Sequence, residues 1–377
     1  NTMLLIPEQI PLSLYIHLPW CVKKCPYCDF TSFEHPSPPW EDYLENCLIE
    51  LETFKIYLQS RTLQTIFIGG GTPNLFSPKQ INYLLNQISK RLPVNPEAEI
   101  SMEANPGIKQ HAFKDYHQAG VNRLSLGVQS FQKKFLNSLG RIHDDKEIFS
   151  AIEEIKKAGF KNFNLDLMFG LPDQSIEEGL ADLQTAVEQN PTHISWYQLT
   201  LEPNTPFGKH PPLLPDDENI FVLQQQGQGL LKENKFNHYE ISAFSKKNFE
   251  CQHNLNYWQF GDYIGIGTAA HSKLTDFEQQ KIFRIENDAK TMNADKSRVP
   301  TRYVSTKELP LEFMMNALRL QMPFSLSLFE GRTGLPLQLI KPILIQAEKE
   351  NFLTIKNNHL YLTEKGKRFT NQLLLLF

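Results

Sequence analysis

Long apolar runs are missing from this sequence of 377 residues. No stretch approaches the ~20 apolar residues that a membrane-spanning helix needs, and no basic segment followed by an apolar one opens the sequence, as in a signal peptide. An excess of one charge is also missing, since 38 Lys and Arg stand against 42 Asp and Glu. Dedicated nucleic-acid-binding proteins usually have a basic face. We therefore expect a soluble cytoplasmic protein that binds no nucleic acid and makes at most peripheral membrane contact.

Cysteine is scarce as well, with five residues in the chain. They are too few and too clustered for a disulfide framework, and they fit a metal site in a reducing compartment better. Cys21, Cys25 and Cys28 lie within eight residues, in the stretch CVKKCPYC. Cys47 falls in an amphipathic segment and Cys251 is expected to be a buried small residue. The three clustered thiols therefore mark the candidate site.

Short β-branched runs alternate with longer amphipathic segments over the first 200 residues. The runs lie at 12–18, 63–70, 98–105, 121–128, 163–170 and 193–200. Strand alternating with helix, at roughly 30–40 residues per unit, predicts βα units around a parallel sheet. Six such units predict an α/β fold with a barrel or an incomplete barrel, in which chemistry gathers at the C-terminal ends of the strands.

Polar and glycine-rich residues collect at those predicted strand ends. The first strand runs into the three cysteines, and the second ends in GGGTP at 69–73. The next three strands carry Glu103, Gln129 and Asp166 at or near their ends. Because a barrel brings the ends of its strands to one mouth, we expect these residues to share a site.

Three kinds of chemistry fit three neighbouring thiols. The tetrapeptide CPYC at 25–28 matches a glutaredoxin active site, although a C-x-x-C pair alone is a weak signal. A structural zinc ion needs four ligands, and His17 is close enough in sequence to be the fourth. A [4Fe–4S] cluster needs thiolates on its irons, and a C-x3-C-x2-C loop can hold three irons and leave one open to a small molecule. A glycine run would let backbone approach that molecule closely, so the cluster is the favoured interpretation.

Two motifs, CVKKCPYC and GGGTP, together resemble the cysteine and glycine motifs of the radical S-adenosylmethionine (SAM) enzymes. The segments LYIHLPWC, IFIGGGTP, LSLGVQSF, LGRIH and NLDLMFGLP resemble, over nearly the whole chain, the oxygen-independent coproporphyrinogen III oxidase group. This resemblance implies a partial (βα)6 TIM-like barrel. It also implies a [4Fe–4S] cluster on Cys21, Cys25 and Cys28, with SAM as the second cofactor. The SAM-binding residues that it implies by position are Tyr15, Tyr27, Gly70, Gly71, Thr72, Glu103, Gln129, Arg141 and Asp166.

That group has two branches, the true oxidases and a haem-chaperone branch. The oxidase signature continues to a fourth cysteine, where this chain has Phe30, and the oxidase has a long extension before the motif, whereas Cys21 lies near the start here. The segment HNLNYW at 253–258 resembles a motif of the haem-chaperone branch. The resemblance thus implies haem as cargo, haem-accepting proteins as partners, and a flavodoxin or ferredoxin as electron donor. The alternatives are an oxidase that converts coproporphyrinogen III to protoporphyrinogen IX, and a cluster and haem carrier without turnover.

Haem iron usually takes a histidine as axial ligand. Two histidines are candidates, His253 in HNLNYW and His271 in IGIGTAAHS. The alternative for His253 is a hydrogen-bonding role within its own segment, with Tyr257 and Trp258 as packing residues.

The pattern changes after Pro300. Three short helical segments precede a hairpin whose turn is Asn357-Asn358, which predicts a small winged-helix-like α+β domain. The predicted domains are therefore the barrel with its cysteine loop at 1–240, a connecting segment at 241–300 and a C-terminal cap at 301–377.

Overall fold

A twelve-stranded mixed sheet is the centre of the fold. The structure is a computed structural model that describes residues 3–35, 38–287 and 300–377. In chain order the strands of this sheet are β1 Leu12–Leu18, β2 Leu63–Gly70, β3 Val94–Ala104, β4 Arg123–Gln129, β5 Phe163–Phe169, β6 His193–Gln198, β7 Asn237–Glu240, β8 Ala243–Ser245, β9 Asp262–Ile266, β10 Ser272–Asp276, β11 Lys281–Ile285 and β12 Arg302–Tyr303.

The first six strands are neighbours in chain order and all run parallel. The full spatial order is β12-β11-β10-β9-β1-β2-β3-β4-β5-β6-β8-β7. The predicted partial (βα)6 barrel is thereby confirmed. Strand β9 adds a seventh parallel strand on the free side of β1, and β8 and β10 pair antiparallel with β6 and β9.

The segment 241–300 was predicted as a connection, yet four strands of the same sheet, β8 to β11, lie within it. Its last part, 288–299, lies outside the described residues. The three domain bounds stay a prediction.

Helices lie between strands of the sheet and continue in the residues after its last strand. They are α1 Trp40–Glu52, α2 Pro78–Arg91, α3 Phe113–Gln118, α4 Lys133–Ser138, α5 Asp145–Lys157, α6 Ile176–Glu188, α7 Pro206–Lys209, α8 Asp217–Glu233, α9 Gln252–Trp258, α10 Leu309–Ala317, α11 Ser327–Thr333, α12 Lys341–Lys349, α13 Glu364–Arg368 and α14 Thr370–Leu374. Capping boxes start α2, α5 and α6, at Ser77, Asp144 and Ser175. Each box satisfies backbone donors that a helix start would otherwise leave unpaired.

Burial on both faces explains why the strand sequences are nearly continuous apolar runs. In β1 every residue is buried except Tyr15, which is half-buried. Since helices occupy the outside, the polar residues of the parallel strands have to face the barrel interior or lie at its C-terminal mouth.

The C-terminal residues contain the three helices and the hairpin that the sequence predicts. Strands β13 Phe324–Ser325, β14 Leu353–Lys356 and β15 His359–Leu362 form a small sheet beside α10 to α12. Asn357 and Asn358 have φ of 49° and 61°, as a tight hairpin turn requires. The core of this unit also includes Leu5 and Ile10 from the start of the chain, so the unit packs as part of one body with the barrel.

Candidate functional site

The cysteine loop follows β1 directly and is fixed at both ends. Its two-residue strands Trp20–Cys21 and Phe33–Glu34 pair in parallel, and Phe33 N–H donates to Pro19 O at 2.7 Å. Cys28 N–H donates to Cys25 O at 3.1 Å and closes a turn between these two thiols. All three thiols of the loop are free, with Cys21 buried and the other two half-buried.

The glycine run at the end of β2 holds this loop in position. A Cβ at Gly70, whose φ is +119°, would lie 2.7 Å from Leu18 O, and a Cβ at Gly71 would lie 2.4 Å from Trp20 O. The N–H groups of Gly71 and Thr72 donate to those same two carbonyl oxygens, at 2.8 and 2.7 Å. The sequence predicts that the glycines let backbone approach a small molecule closely. In the structure, Leu18 and Trp20 also lie close to Gly70 and Gly71, and both glycines line the cavity described below. The run therefore ties β2 to the start of the cysteine loop.

Two carboxyl groups face the barrel mouth, Glu103 from β3 and Asp166 from β5, with β4 between these strands. Glu103 Oε2 accepts from Gly70 N–H at 3.1 Å. Burial, with the nearby charge of Asp166, raises the pKa of Glu103 to about 8 against the opposing effect of that N–H. Asp166 accepts from Asn164 Nδ2 at 2.8 Å and from Ser125 Oγ at 3.3 Å, and burial raises its pKa as well.

A guanidinium group lies against the thiols. Arg141 Nη1 is 3.6 Å from Cys25 Sγ, and Nη2 donates to Gly127 O at 3.0 Å. Its Nε is buried without a hydrogen-bond partner in the part of the chain that the structure describes. Gln129 sits beside it at a β-bulge of β4, with φ of 70°, and accepts from Tyr197 OH at 2.8 Å. Strained backbone of this kind is concentrated at functional sites.

One cavity, here called the thiol cavity, collects nearly all of the residues that the sequence singles out. Tyr15 does not line it, and instead lines a second cavity that is described below. The predicted residues in the thiol cavity are Cys21, Cys25, Cys28, Tyr27, Gly70, Gly71, Thr72, Glu103, Gln129, Arg141 and Asp166.

Both alternatives to the cluster fit this geometry less well. Burial raises the pKa of the Cys21 and Cys28 thiols, whereas a thiol that exchanges disulfides is activated by a lowered pKa. Among residues 3–35, 38–287 and 300–377, no three His, Cys, Asp or Glu side chains are placed to hold one metal ion. The ring nitrogens of His17 contact Tyr15 OH at 2.8 Å and Thr31 O at 2.6 Å. The three thiols line one cavity, and a [4Fe–4S] cluster takes one thiolate on each of several irons, so the cluster remains the favoured interpretation.

The two haem-ligand candidates have different surroundings. His253 is 1% exposed, and its Nδ1 and Nε2 lie 2.7 Å from Thr65 Oγ1 and 2.9 Å from Tyr257 OH. This arrangement gives more support to the hydrogen-bonding alternative. His271 is exposed, and its Nδ1 lies 3.4 Å from the N–H of Asn287.

Sequence reasoning missed the inward-facing residues below the strand ends. Arg123, Ser125 and Gly127 alternate along β4 and face the interior cavities. The period of two in a strand could have identified them once Gln129 was recognised as an inward-facing residue.

Comparisons with known proteins agree with this architecture. Residues 15–186 match the family model of the radical SAM superfamily, and 304–369 match that of the HemN C-terminal domain. The E. coli HemN structure, described as coproporphyrinogen III oxidase and a radical SAM enzyme, aligns with a TM-score of 0.79 over 98% of this chain and 90% of that one. At 22% identity this likeness shows the fold.

Curated relatives are much more similar in sequence. The heme chaperone HemW of Escherichia coli (strain K12) is 48% identical over 371 residues, which are 97% of this chain and 98% of that protein. The heme chaperone HemW of Haemophilus influenzae is 45% identical over 389 residues, 99% of each chain. The chain therefore belongs to the HemW family of the radical SAM superfamily.

Proposed function

We propose that this protein is a haem chaperone of the radical SAM type, which binds haem and delivers it to acceptor proteins. The observation that carries the proposal is the thiol cavity, in which three free thiols share one mouth with Glu103, Arg141 and Asp166. Relatives of 45–48% identity over nearly the whole chain are heme chaperones by name.

Cys21, Cys25 and Cys28 would hold three irons of a [4Fe–4S] cluster, and SAM would bind beside it. When bound, the two groups would supply one-electron reduction of the SAM sulfonium; the protein supplies position and electrostatics. Arg141 Nη1 lies 3.6 Å from Cys25 Sγ and donates to this sulfur, which orients the side chain of Cys25.

The remaining residues of the cavity suit a ligand that carries amino and hydroxyl groups. Glu103 has an acceptor oxygen in the cavity, and Gln129 offers an amide beside it. Tyr27, on the cysteine loop, supplies an aromatic surface at the same mouth. We assign these residues, with Tyr15, Gly70, Gly71, Thr72 and Asp166, to SAM binding as part of this proposal.

Oxidase chemistry is the second candidate, because Gln129, Arg141 and Asp166 are all present in the cavity. Phe30, which lines this cavity, is however 66% exposed, so the mouth is open to solvent on this side. Closure of an active site is what protects reactive intermediates from water. The open mouth therefore favours binding of a ligand over radical decarboxylation.

Partners and location follow from the same proposal. A flavodoxin- or ferredoxin-type donor would reduce the cluster, haem-accepting proteins would receive the cargo, and the protein would work in the cytoplasm. Within the described ranges, no helix is both long enough and apolar enough to cross a bilayer.

A titration and an assay test the proposal together. Anaerobically reconstituted protein is titrated with haem, and transfer of the haem to a haem-free acceptor protein is followed by absorbance. A parallel sample with reductant, SAM and coproporphyrinogen III is analysed by chromatography of the oxidised porphyrins. We expect stoichiometric haem binding and transfer with little decarboxylated product. Multiple turnovers to protoporphyrinogen IX without haem transfer would establish the oxidase instead.

A further inference from the structure

A second cavity, here called the floor cavity, lies inside the barrel beneath the thiol cavity. Its walls are aromatic on one side, with Tyr15, Phe67 and Tyr257, and polar on the other, with Arg123 and Asn164. The residues common to both cavities are Glu103, Ser125 and Asp166. The two spaces therefore meet at this shared layer of side chains.

Arg123 is the unusual residue of the floor cavity. It is 2% exposed, and none of the described residues accepts a hydrogen bond from its side chain or forms an ion pair with it. Burying an unpaired charge is costly, and native structures nearly always pair it. A guanidinium has five N–H donors in a fork that matches a carboxylate.

Two carboxylates, Glu99 and Asp166, are close enough for their charges to act on Arg123. Both already have other hydrogen-bond partners. Glu99 accepts from the N–H groups of Gln252 and His253, at 2.9 and 3.1 Å, at the start of α9. Asp166 accepts from Ser125 and Asn164, as described above. The protein thus provides a buried cation, with donors left over, at the wall of an open space.

The size of the floor cavity limits what it can hold. Its volume is about 240 Å³, below the roughly 300–1,000 Å³ of pockets that enclose a whole drug-sized ligand. A side group of a larger ligand, with its body in the adjoining thiol cavity, fits such a space. Three aromatic walls suit the apolar part of that side group, and the guanidinium suits an acidic end.

We infer that Arg123 binds a carboxylate of the ligand that occupies the thiol cavity. This inference rests on the proposed function, which supplies two such ligands: haem, through a propionate, and SAM, through its amino-acid carboxylate.

Two substitutions separate the charge of Arg123 from its shape. Arg123→Gln removes the positive charge, while Arg123→Lys keeps it without the two-pronged geometry. Arg91→Gln is the matched control, because Arg91 is a surface residue of α2 that pairs with Glu52 at 3.1 Å, away from both cavities. Thermal melting verifies that each full-length variant is folded.

Three ligands are used in the binding measurements. Haem and haem dimethyl ester, in which both propionates are esterified, are titrated into each variant by absorbance. SAM is titrated into the cluster-loaded variants by calorimetry. Loss of a charge-assisted hydrogen-bond pair predicts a roughly 10- to 100-fold weaker affinity.

If the carboxylate belongs to haem, wild-type protein binds haem more tightly than the ester. Arg123→Gln then binds haem only as weakly as wild-type protein binds the ester, and Arg123→Lys loses less haem affinity than Arg123→Gln does. If it belongs to SAM, only the SAM affinity falls. Folded Arg123→Gln protein with unchanged affinity for both ligands would overturn the inference and leave Arg123 merely hydrated. Wild-type protein that binds no haem would refute the proposed function instead, and the SAM titration would then decide the role of Arg123 alone.

Discussion

Glu103 Oε2 accepts a hydrogen bond from the backbone N–H of Gly70 at 3.1 Å, and this bond ties the end of β3 to the glycine run at the end of β2. The same carboxyl group lines both the thiol cavity and the floor cavity. The Glu103 carboxyl group therefore connects the backbone that positions the cysteine loop with the space in which a ligand would lie. Its protonation state is expected to affect both ligand binding and folding stability.

The binding of SAM should become tighter as the pH rises towards about 8. Burial and the charge of Asp166 raise the pKa of Glu103 to about 8, and a cationic ligand favours the ionised carboxylate, so binding at lower pH has to release a proton. Because binding is linked to the release of one proton, the SAM affinity changes by at most about tenfold per pH unit below the pKa of Glu103. Calorimetry of cluster-loaded protein between pH 6 and about 9 measures this slope, and Glu103→Gln is expected to flatten it. A pH-independent affinity in the wild type would show that Glu103 does not meet the cation.

The raised pKa of Glu103 affects folding stability in the opposite direction from SAM binding. Between the ordinary glutamate pKa of 4.5 and about 8, the folded state binds more protons at Glu103 than the unfolded state does. The contribution of Glu103 to the free energy of unfolding therefore falls as the pH rises through this window. Glu103→Gln should melt at a higher temperature relative to wild type at pH 8 than at pH 5.

Replacement of Cys21, Cys25 and Cys28 together by Ala should abolish cluster assembly. Each thiol would hold one iron, so the triple variant has no ligand left on the loop. Iron and sulfide are quantified after anaerobic reconstitution. Cys47→Ala is the control, because Cys47 is a buried residue of α1 and does not line the thiol cavity. Full iron and sulfide content in the triple variant would remove these residues from the metal site.

Gly70→Ala should lower both the melting temperature and the amount of cluster retained. Its φ of +119° disfavours any side chain, and the new Cβ would lie 2.7 Å from Leu18 O, at the start of the cysteine loop. Gly159→Ala is a matched control, since Gly159 has a φ of +90° but nothing within 4 Å of the Cβ position. The control carries the backbone strain of about 1–3 kcal/mol without the clash. Equal losses in both variants would mean that contact with β1 is unimportant.

The two histidine candidates should respond differently to substitution. His253→Ala leaves Thr65 and Tyr257 without their buried partner, which costs about 1–3 kcal/mol in unfolding free energy. His271→Ala removes an exposed side chain, and surface changes usually remain within about 0.5 kcal/mol. Haem titrations of both variants, next to their melting curves, separate ligation from stability. A changed haem spectrum at unchanged stability would identify a ligand.

Much of the fold can be predicted from the sequence, because local sequence patterns determine its strands, helices and turns. The alternation of β-branched runs with capped helices gives the parallel barrel, and Asn357-Asn358 gives the hairpin turn. Strand β9 was not recognised, since its pairing with β1 joins residues about 250 positions apart and no local pattern encodes it. The contact between Gly70 and Leu18 was also not predicted, because only the folded chain brings these two residues together.

The position of β9 beside β1 depends on a buried ion cluster, and substitution of its centre should destabilise the whole barrel. Asp262, at the start of β9, lies 2.8 Å from Arg61 Nη1 and 3.1 Å from Lys273 Nζ. Burial acts to raise the pKa of Asp262, but the charges of Lys273 and Arg61 outweigh it and hold that pKa below its usual value. The ionised carboxylate of Asp262 therefore stabilises the folded state at neutral pH, and this contribution is lost only as the pH falls below about 4.

Asp262→Asn would leave two buried cations without a counter-charge, and removal of one member of a buried ion pair costs about 3–5 kcal/mol. Glu308→Gln serves as the control, because its 3.7 Å pair with Arg302 is exposed and such pairs contribute little. Urea unfolding at neutral pH compares the two variants with wild type. Since β1 lies between β9 and β2 and carries the cysteine loop at its end, Asp262→Asn should also retain less cluster than Glu308→Gln. Wild-type stability in Asp262→Asn would mean that the triad is dispensable and that apolar packing alone holds β9 in place.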